Sequence, residues 1–237
     1  MTLLFSLLAQ TNMVEPVQAA ALDAQVAVPP LNLWSLSLKG GFIMIPIVLL
    51  SLVTIYIFVE RLLVLRDAAR QDNTFMQRIK DYIHAGDVES ALNLCKKNPT
   101  PVARLIEKGI TRLGRPMNDV LVAIENVGNI EVAKLERRFT WIATTAGGAP
   151  MLGFLGTVTG MVSAFYSMAA AGEAADITTL SSGIYEALVT TVAGLVVGII
   201  ALFAYNYLVS RVNTVVNQLE ASTMEFMDLL NEPANKK

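Results

Sequence analysis

Two residue types that build chemistry are nearly missing from this chain. Cysteine occurs once, at Cys95, and histidine once, at His84. A lone cysteine forms no intrachain disulfide, and with a single imidazole it leaves no Cys/His metal set. His84 lies in a polar stretch and reads as a surface residue. Charge is scarce as well: Asp, Glu, Lys and Arg make up 16 % of 237 residues, against about 25 % in soluble proteins. The net charge of −2 holds no basic surplus, which argues against nucleic acid as a partner. No nucleophile–base pair, phosphate loop or metal cluster is found. An enzyme is therefore not expected, and no metal or cofactor.

What is present is apolar. Hydrophobic residues reach 54 % and mean hydropathy is +0.51. The uncharged residues are gathered in runs, which points to a bilayer rather than to one large soluble core. Residues 41–59 form the first expected span, uncharged throughout, with Pro46 in the first half and Glu60-Arg61 at the end. Residues 141–168 form the second, a longer run without Asp, Glu, Lys or Arg. Residues 183–209 form the third, and its one charged residue is Glu186. The expected fold is an all-α integral membrane protein, with three transmembrane helices and long cytoplasmic helical extensions.

Between the first two spans, residues 60–140 hold fourteen of the eighteen Lys and Arg residues and eleven acids. This segment reads as water-exposed helices: 73–85 closed by Gly86, 87–97 with Asp87 as N-cap, and 102–113 between Pro101 and Gly114. A long helix opens at Asn118 or Asp119. Nothing before Gly147-Gly148 and Pro150 breaks it, so it is expected to run without interruption into the second span. Residues 169–182 form a loop with Glu173 and Asp176 and no basic residue. Residues 210–237 form an amphipathic helix, with Val212, Val215, Leu219 and Phe226 on one side, and a polar tail. Residues 1–40 read as an N-terminal segment with an interfacial helix ending at Pro29-Pro30. The Ala19-Ala20-Ala21 run also resembles a cleavage region, so cleavage stays open.

Basic residues set the orientation. Arg61, Arg66, Arg137 and Arg138 flank the membrane ends of the 60–140 segment, whereas only Lys39 precedes the first span. The positive-inside rule then puts 60–140 and the C-terminus in the cytosol, with the N-terminus and the acidic loop outside.

At 100° per residue, Gly183, Glu186, Thr190, Thr191, Gly194 and Gly198 fall on one side of the third span. Gly153, Gly156, Thr157 and Gly160 do the same in the second. Small faces let membrane helices approach closely, and Gly156 to Gly160 is a GxxxG pattern. Packing and a transport path both account for such stripes, and both imply oligomerisation. Glu186 adds weight to a path, because intramembrane acids usually face a bundle interior or water. An interfacial or capping glutamate is the alternative. Thr157 and Thr191 bring hydroxyls able to order a proton-carrying water file or to ligate a stripped cation. Back-bonding to their own helix is the plainer use. No Asp, Lys or His lies deep in any span, so a titrating carrier must come from a partner helix.

Particular stretches resemble a known family. They are GDVESALNLC at 86–95, PVARLIEKGITRLG at 101–114, VAKLERR at 132–138, APMLGFLGTVTGM at 149–161 and GIYEALVTTVAGL at 183–195, with Ala204-Tyr205-Asn206 after them. Together they are similar to the ExbB/TolQ/MotA family of ion-driven membrane motors, over roughly residues 40–230. Residues 1–30 are not covered. The resemblance implies a pentamer of this chain around an ExbD-like dimer of single-span partners that carry an intramembrane Asp. It implies that Thr157 and Thr191 line the pore beside that Asp, and that Glu186 stands at the pore's periplasmic side. It further implies a multi-pass protein of the bacterial inner membrane that drives a TonB-like protein. Three spans argue against the four-span flagellar branch. A TolQ-type role in envelope maintenance and a non-conducting scaffold remain as alternatives, and proton and sodium both fit paired threonines.

Overall fold

The computed structural model describes residues 41–70, 74–172 and 176–232. The expectations for residues 1–40, for the middle of the acidic loop and for residues 233–237 lie outside that set. Seven helices and no strand occur among the described residues.

The first helix, α1 (Met44–Ala68), has 25 residues and a length of about 38 Å, enough to cross a hydrocarbon core. Pro46 is its third residue. In the first turn a backbone N–H has no helical partner, so proline removes nothing there. One side of α1 is buried through Met44, Ile47, Ile57 and Leu65. The other presents Ile45, Leu49, Leu52, Ile55 and Tyr56 outward, as a lipid-facing helix does.

A bundle of short helices follows. In α2 (Phe75–His84) the chain is stopped by Gly86 at φ +74°. Gly86 N–H donates to Ile83 O and Asp87 N–H to Tyr82 O, 3.1 and 3.0 Å, the paired bonds that a left-handed residue after a helix makes available. Asp87 then caps α3 (Val88–Lys97) by accepting from Ser90 N–H at 3.0 Å. That bond from Ser90 also holds the Asp87 carboxyl below its ordinary value. The Thr100 hydroxyl caps α4 (Pro101–Ile110), where proline occupies the first position. Next comes α5 (Met117–Leu135). These helices pool their apolar sides: Ile79, Cys95, Leu105, Ile106, Val120 and Ile124 share one core with Leu208, Val212, Val215, Leu219 and Phe226.

The expected unbroken helix from Asp119 into the second span is not found. The chain stops at Leu135 and restarts at Phe139 in α6 (Phe139–Ala171). Arg138 between them has φ +72°, the one positive-φ non-glycine among the described residues. Tertiary contacts cluster at the bend. Arg138 Nη1 reaches Glu60 Oε2 of α1 at 2.5 Å, and Arg61 Nη2 reaches Glu60 Oε1 at 2.9 Å. Leu135 and Phe139 are both buried on either side of the bend.

Two further differences have local causes. The connection after α6 is shorter than 169–182, because Met168 to Ala171 continue the helix until Gly172, at φ +56°. Asp176 then caps α7 by accepting from Thr178 N–H at 3.1 Å. The third apolar run and the amphipathic stretch after it are one helix, α7 (Ile177–Asn231), of 55 residues and about 80 Å. Its first half pairs with α6, and its second half forms a wall of the bundle core. Three helices, α1, α6 and α7, are long and apolar enough to cross a membrane.

Candidate functional site

The contact between α6 and α7 is built from glycine. A Cβ at Gly153 would lie 3.0 Å from Thr190 O and 3.1 Å from Thr191 Cα. One at Gly194 would lie 2.5 Å from Ala149 O and 3.0 Å from Gly153 Cα. At Gly156 it would overlap the Thr190 hydroxyl, and at Gly160 it would come to 2.9 Å from Ala187 Cβ. Gly198 leaves room for the Pro150 ring, whose Cγ would be 2.5 Å from a Cβ there. These five glycines, and Gly183 against Ala164, therefore lie where one helix meets the other. Dispersion and close backbone approach hold such a pair together, since lipid gives apolar side chains no reason to leave it.

This close approach brings two hydroxyls together. Thr157 Oγ1 and Thr191 Oγ1 are 2.9 Å apart. Thr191 Oγ1 donates across the contact to Gly153 O at 2.9 Å, and Thr157 Oγ1 donates to Phe154 O at 2.8 Å. Thr157 Oγ1 is also 3.4 Å from Gly153 O, so two hydroxyl hydrogens serve four contacts and the proton between the threonines has alternative acceptors. Both residues are half-buried. One side of the pair is enclosed by the helices and the other is open to whatever packs beside them. Thr190, one residue earlier, is buried and spends its hydroxyl on Ala187 O at 2.7 Å.

Glu186 is not brought to this pair. It lies toward the start of α1, where a Cβ on Gly41 would overlap its Oε1. A cavity of about 300 Å³ there is lined by Glu186, Thr159, Ser163 and Thr190 with Gly41 to Ile43. Neither Thr157 nor Thr191 belongs to that lining. The helix repeat explains the division: Thr191 is five residues from Glu186, about 140° round the helix. A small-residue arc that wide spans two sides of a helix, one toward α1 and one toward the hydroxyl pair. Thr159 was missed in the sequence because it is two residues from Thr157, and so about 200° away from it.

The sequence also held no signal for the cluster at the bundle end of the spans. Arg61 is 6 % exposed and donates from Nη1 to Lys134 O at 3.2 Å, which satisfies a carbonyl in the last turn of α5. Glu131, one turn before, pairs with Arg104 of α4 at 2.6 Å and with Lys134 at 2.7 Å. Burial works to raise the Glu131 carboxyl, but the hydrogen bonds and charges of Arg104 and Lys134 outweigh it and hold the group below its ordinary value. No group of three or more His, Cys, Asp or Glu side chains able to hold a metal occurs among the described residues.

Comparison with known proteins gives this helix pair a context. The model described as the MotA/TolQ/ExbB proton channel family matches residues 97–221, which includes the hydroxyl pair, α4 and α5. An ExbB homolog of Methanothermobacter thermautotrophicus is 30 % identical over 73 % of this chain, which spans 62 % of that relative's length. A biopolymer transport protein of the ExbB-like type from Synechocystis is 33 % identical, covering 73 % of this chain and 69 % of its own. The Tol-Pal system protein TolQ of Haemophilus influenzae is 27 % identical over 86 % of this chain and 96 % of its own length. With the matched segment spanning more than half its residues, the chain belongs to the MotA/TolQ/ExbB proton channel family.

Proposed function

We propose that this chain is the pore-lining subunit of an ion-driven motor of the bacterial inner membrane. Several copies, five on the family pattern, surround single-span ExbD-like partners, and the assembly energises a TonB-like protein that works on outer-membrane transport. The observation that carries this reading is the Thr157–Thr191 contact. It sets two half-exposed hydroxyls in a helix pair with no charged residue beside them. A partner's carboxyl docked against them has ready donors and acceptors, so a proton can be passed or a stripped cation held. In this arrangement the N-terminus is periplasmic and the α2–α5 bundle cytosolic, in keeping with the basic residues at its membrane ends. Glu186, on the α1 side, flanks the outer entrance rather than sharing the threonines' path.

Energy sets the style of coupling. One charge crossing 100 mV yields about 2.3 kcal/mol. Pulling a packed segment from an outer-membrane protein costs more, so several ions or a ratcheting motion must serve each work cycle. The TolQ-type role in envelope maintenance is the alternative reading, since the ExbB-named relatives reach higher identity and the TolQ protein aligns over more of the chain.

In cells, Thr157→Val and Thr191→Val are expected to leave the chain inserted and assembled but unable to energise transport. Normal transport by both variants would overturn the reading. A non-conducting scaffold would instead be insensitive to Glu186→Gln and would be broken by Gly160→Leu.

A further inference from the structure

Away from the spans, four large apolar side chains stand exposed in the bundle: Val88, Val122, Ile130 and Met224. Three of them belong to two surfaces of opposite character. On α7, Met224 is 67 % exposed and forms a ridge between two grooves, with Glu220, Glu225 and Asp228 along it. On the outer side of α5, a groove of about 590 Å³ is floored by Val122, Ala123, Val127 and Ile130, and Lys108 and Arg112 of the preceding segment rim it. Asp119 is the one acid in that lining, at the groove's end. None of Glu220, Glu225, Asp228, Lys108 and Arg112 makes an ion pair among the described residues.

We propose that the Met224 ridge of one copy docks into the Val122–Ile130 groove of a second copy, with Glu220 and Glu225 against Lys108 and Arg112. Three features point to a second copy rather than to another protein. The charges are complementary within the one sequence. The ridge is convex and apolar at its crest, and the groove is concave and apolar at its floor. The two surfaces also lie at the same level along the bundle. One cavity there is lined by Leu121 and Glu125 of α5 together with Glu220 and Met224 of α7, which puts Val122 and Met224 within about two turns of one level. Copies related by an axis normal to the membrane keep their heights, so mating residues must share one. Ridge and groove are different surfaces, so the contact is head-to-tail and closes into a ring if the rotation allows.

This inference rests on the reading of the chain as a ring-forming subunit. It is tested on the full chain in membranes, co-expressed with its partners. Met224→Cys combined with Val122→Cys is expected to give an oxidative cross-link ladder beyond the dimer, while either single variant gives none. Native Cys95 is buried and does not interfere. Arg112→Glu with Lys108→Glu is expected to reduce the assembled fraction several-fold, and Glu220→Lys with Glu225→Lys in the same chain to restore it. No ladder from the double variant, or a dimer from Met224→Cys alone, would overturn the contact. Sizing of the unmodified assembly in the same membranes separates the outcomes: an intact ring without the ladder sinks this interface only, and a monomer sinks the ring reading itself.

Discussion

At the scale of residues, each glycine and hydroxyl in the α6–α7 contact has a distinct neighbour, and substitutions should sort accordingly. Gly194→Ala drives a methyl against Ala149 O and Gly153 Cα and is expected to destabilise the helix pair by about 1–3 kcal/mol, the usual cost of overpacking. At Gly147 a Cβ would meet nothing within 4 Å. Gly147→Ala in the isolated chain should therefore be neutral or stabilise by up to about 1 kcal/mol, the helix preference of alanine. Thermal melting in detergent reads both, and equal effects would contradict the packing described. Thr191→Val removes two interhelical contacts, to Gly153 O and to Thr157 Oγ1, at about 0.6–1.7 kcal/mol each, and an unchanged assembled fraction shows that loss of activity in that variant does not come from unfolding. Cys95 offers a separate check. Burial, with Glu107 nearby, pushes its thiol up to about 12, so the thiolate needed for alkylation is absent near neutrality. No labelling is expected until the bundle unfolds.

At the scale of elements, the joints are held by charge. Arg104, Glu131 and Lys134 tie α4 to α5, and Arg61 ties α1 to the end of α5. Because the Glu131 carboxyl is lower in the folded chain than its ordinary value, the folded state favours its ionised form. That stability is present above the ordinary carboxylate range and is lost as pH falls through the folded value. Glu131→Gln should flatten this acid limb of a melting-temperature profile, and an unchanged limb would contradict it. Arg138 combines a left-handed backbone with an ion pair to Glu60. Arg138→Ala loses the pair and keeps the strain. Arg138→Gly loses the pair but relieves about 1–2 kcal/mol, so it should melt higher than the alanine variant.

Much of the element pattern was legible in the sequence because its causes are local. Asp87 before a helix, Gly86 after one and Pro101 at a helix start act through their own backbone. The bend at Arg138 was not legible: the contacts gathered there are tertiary, and the partner of Arg138, Glu60, is 78 residues away. Nor was the separation of Glu186 from Thr191. A periodicity count gives the angle between them but does not say where α1 stands. The hydroxyl contact itself was half legible: both threonines were evident, and their 2.9 Å meeting depends on glycines in both helices acting together.

At the scale of the whole molecule, three long helices carry the apolar surface, and a bundle with its own apolar core lies at one end of them. One helix, α7, belongs to both parts. A change at Thr191 and a contact at Met224 therefore lie on the same helix, which joins the site in the spans to the surface where copies are proposed to meet. The central claim is that ions pass beside the paired threonines. Its most direct test is ion flux into liposomes that hold the purified complex of this chain with the proposed single-span partner, under an imposed potential. Thr157→Val/Thr191→Val complexes of unchanged size should fall to the flux of empty liposomes. Flux equal to that of the unmodified complex would contradict the assignment of the path to Thr157 and Thr191.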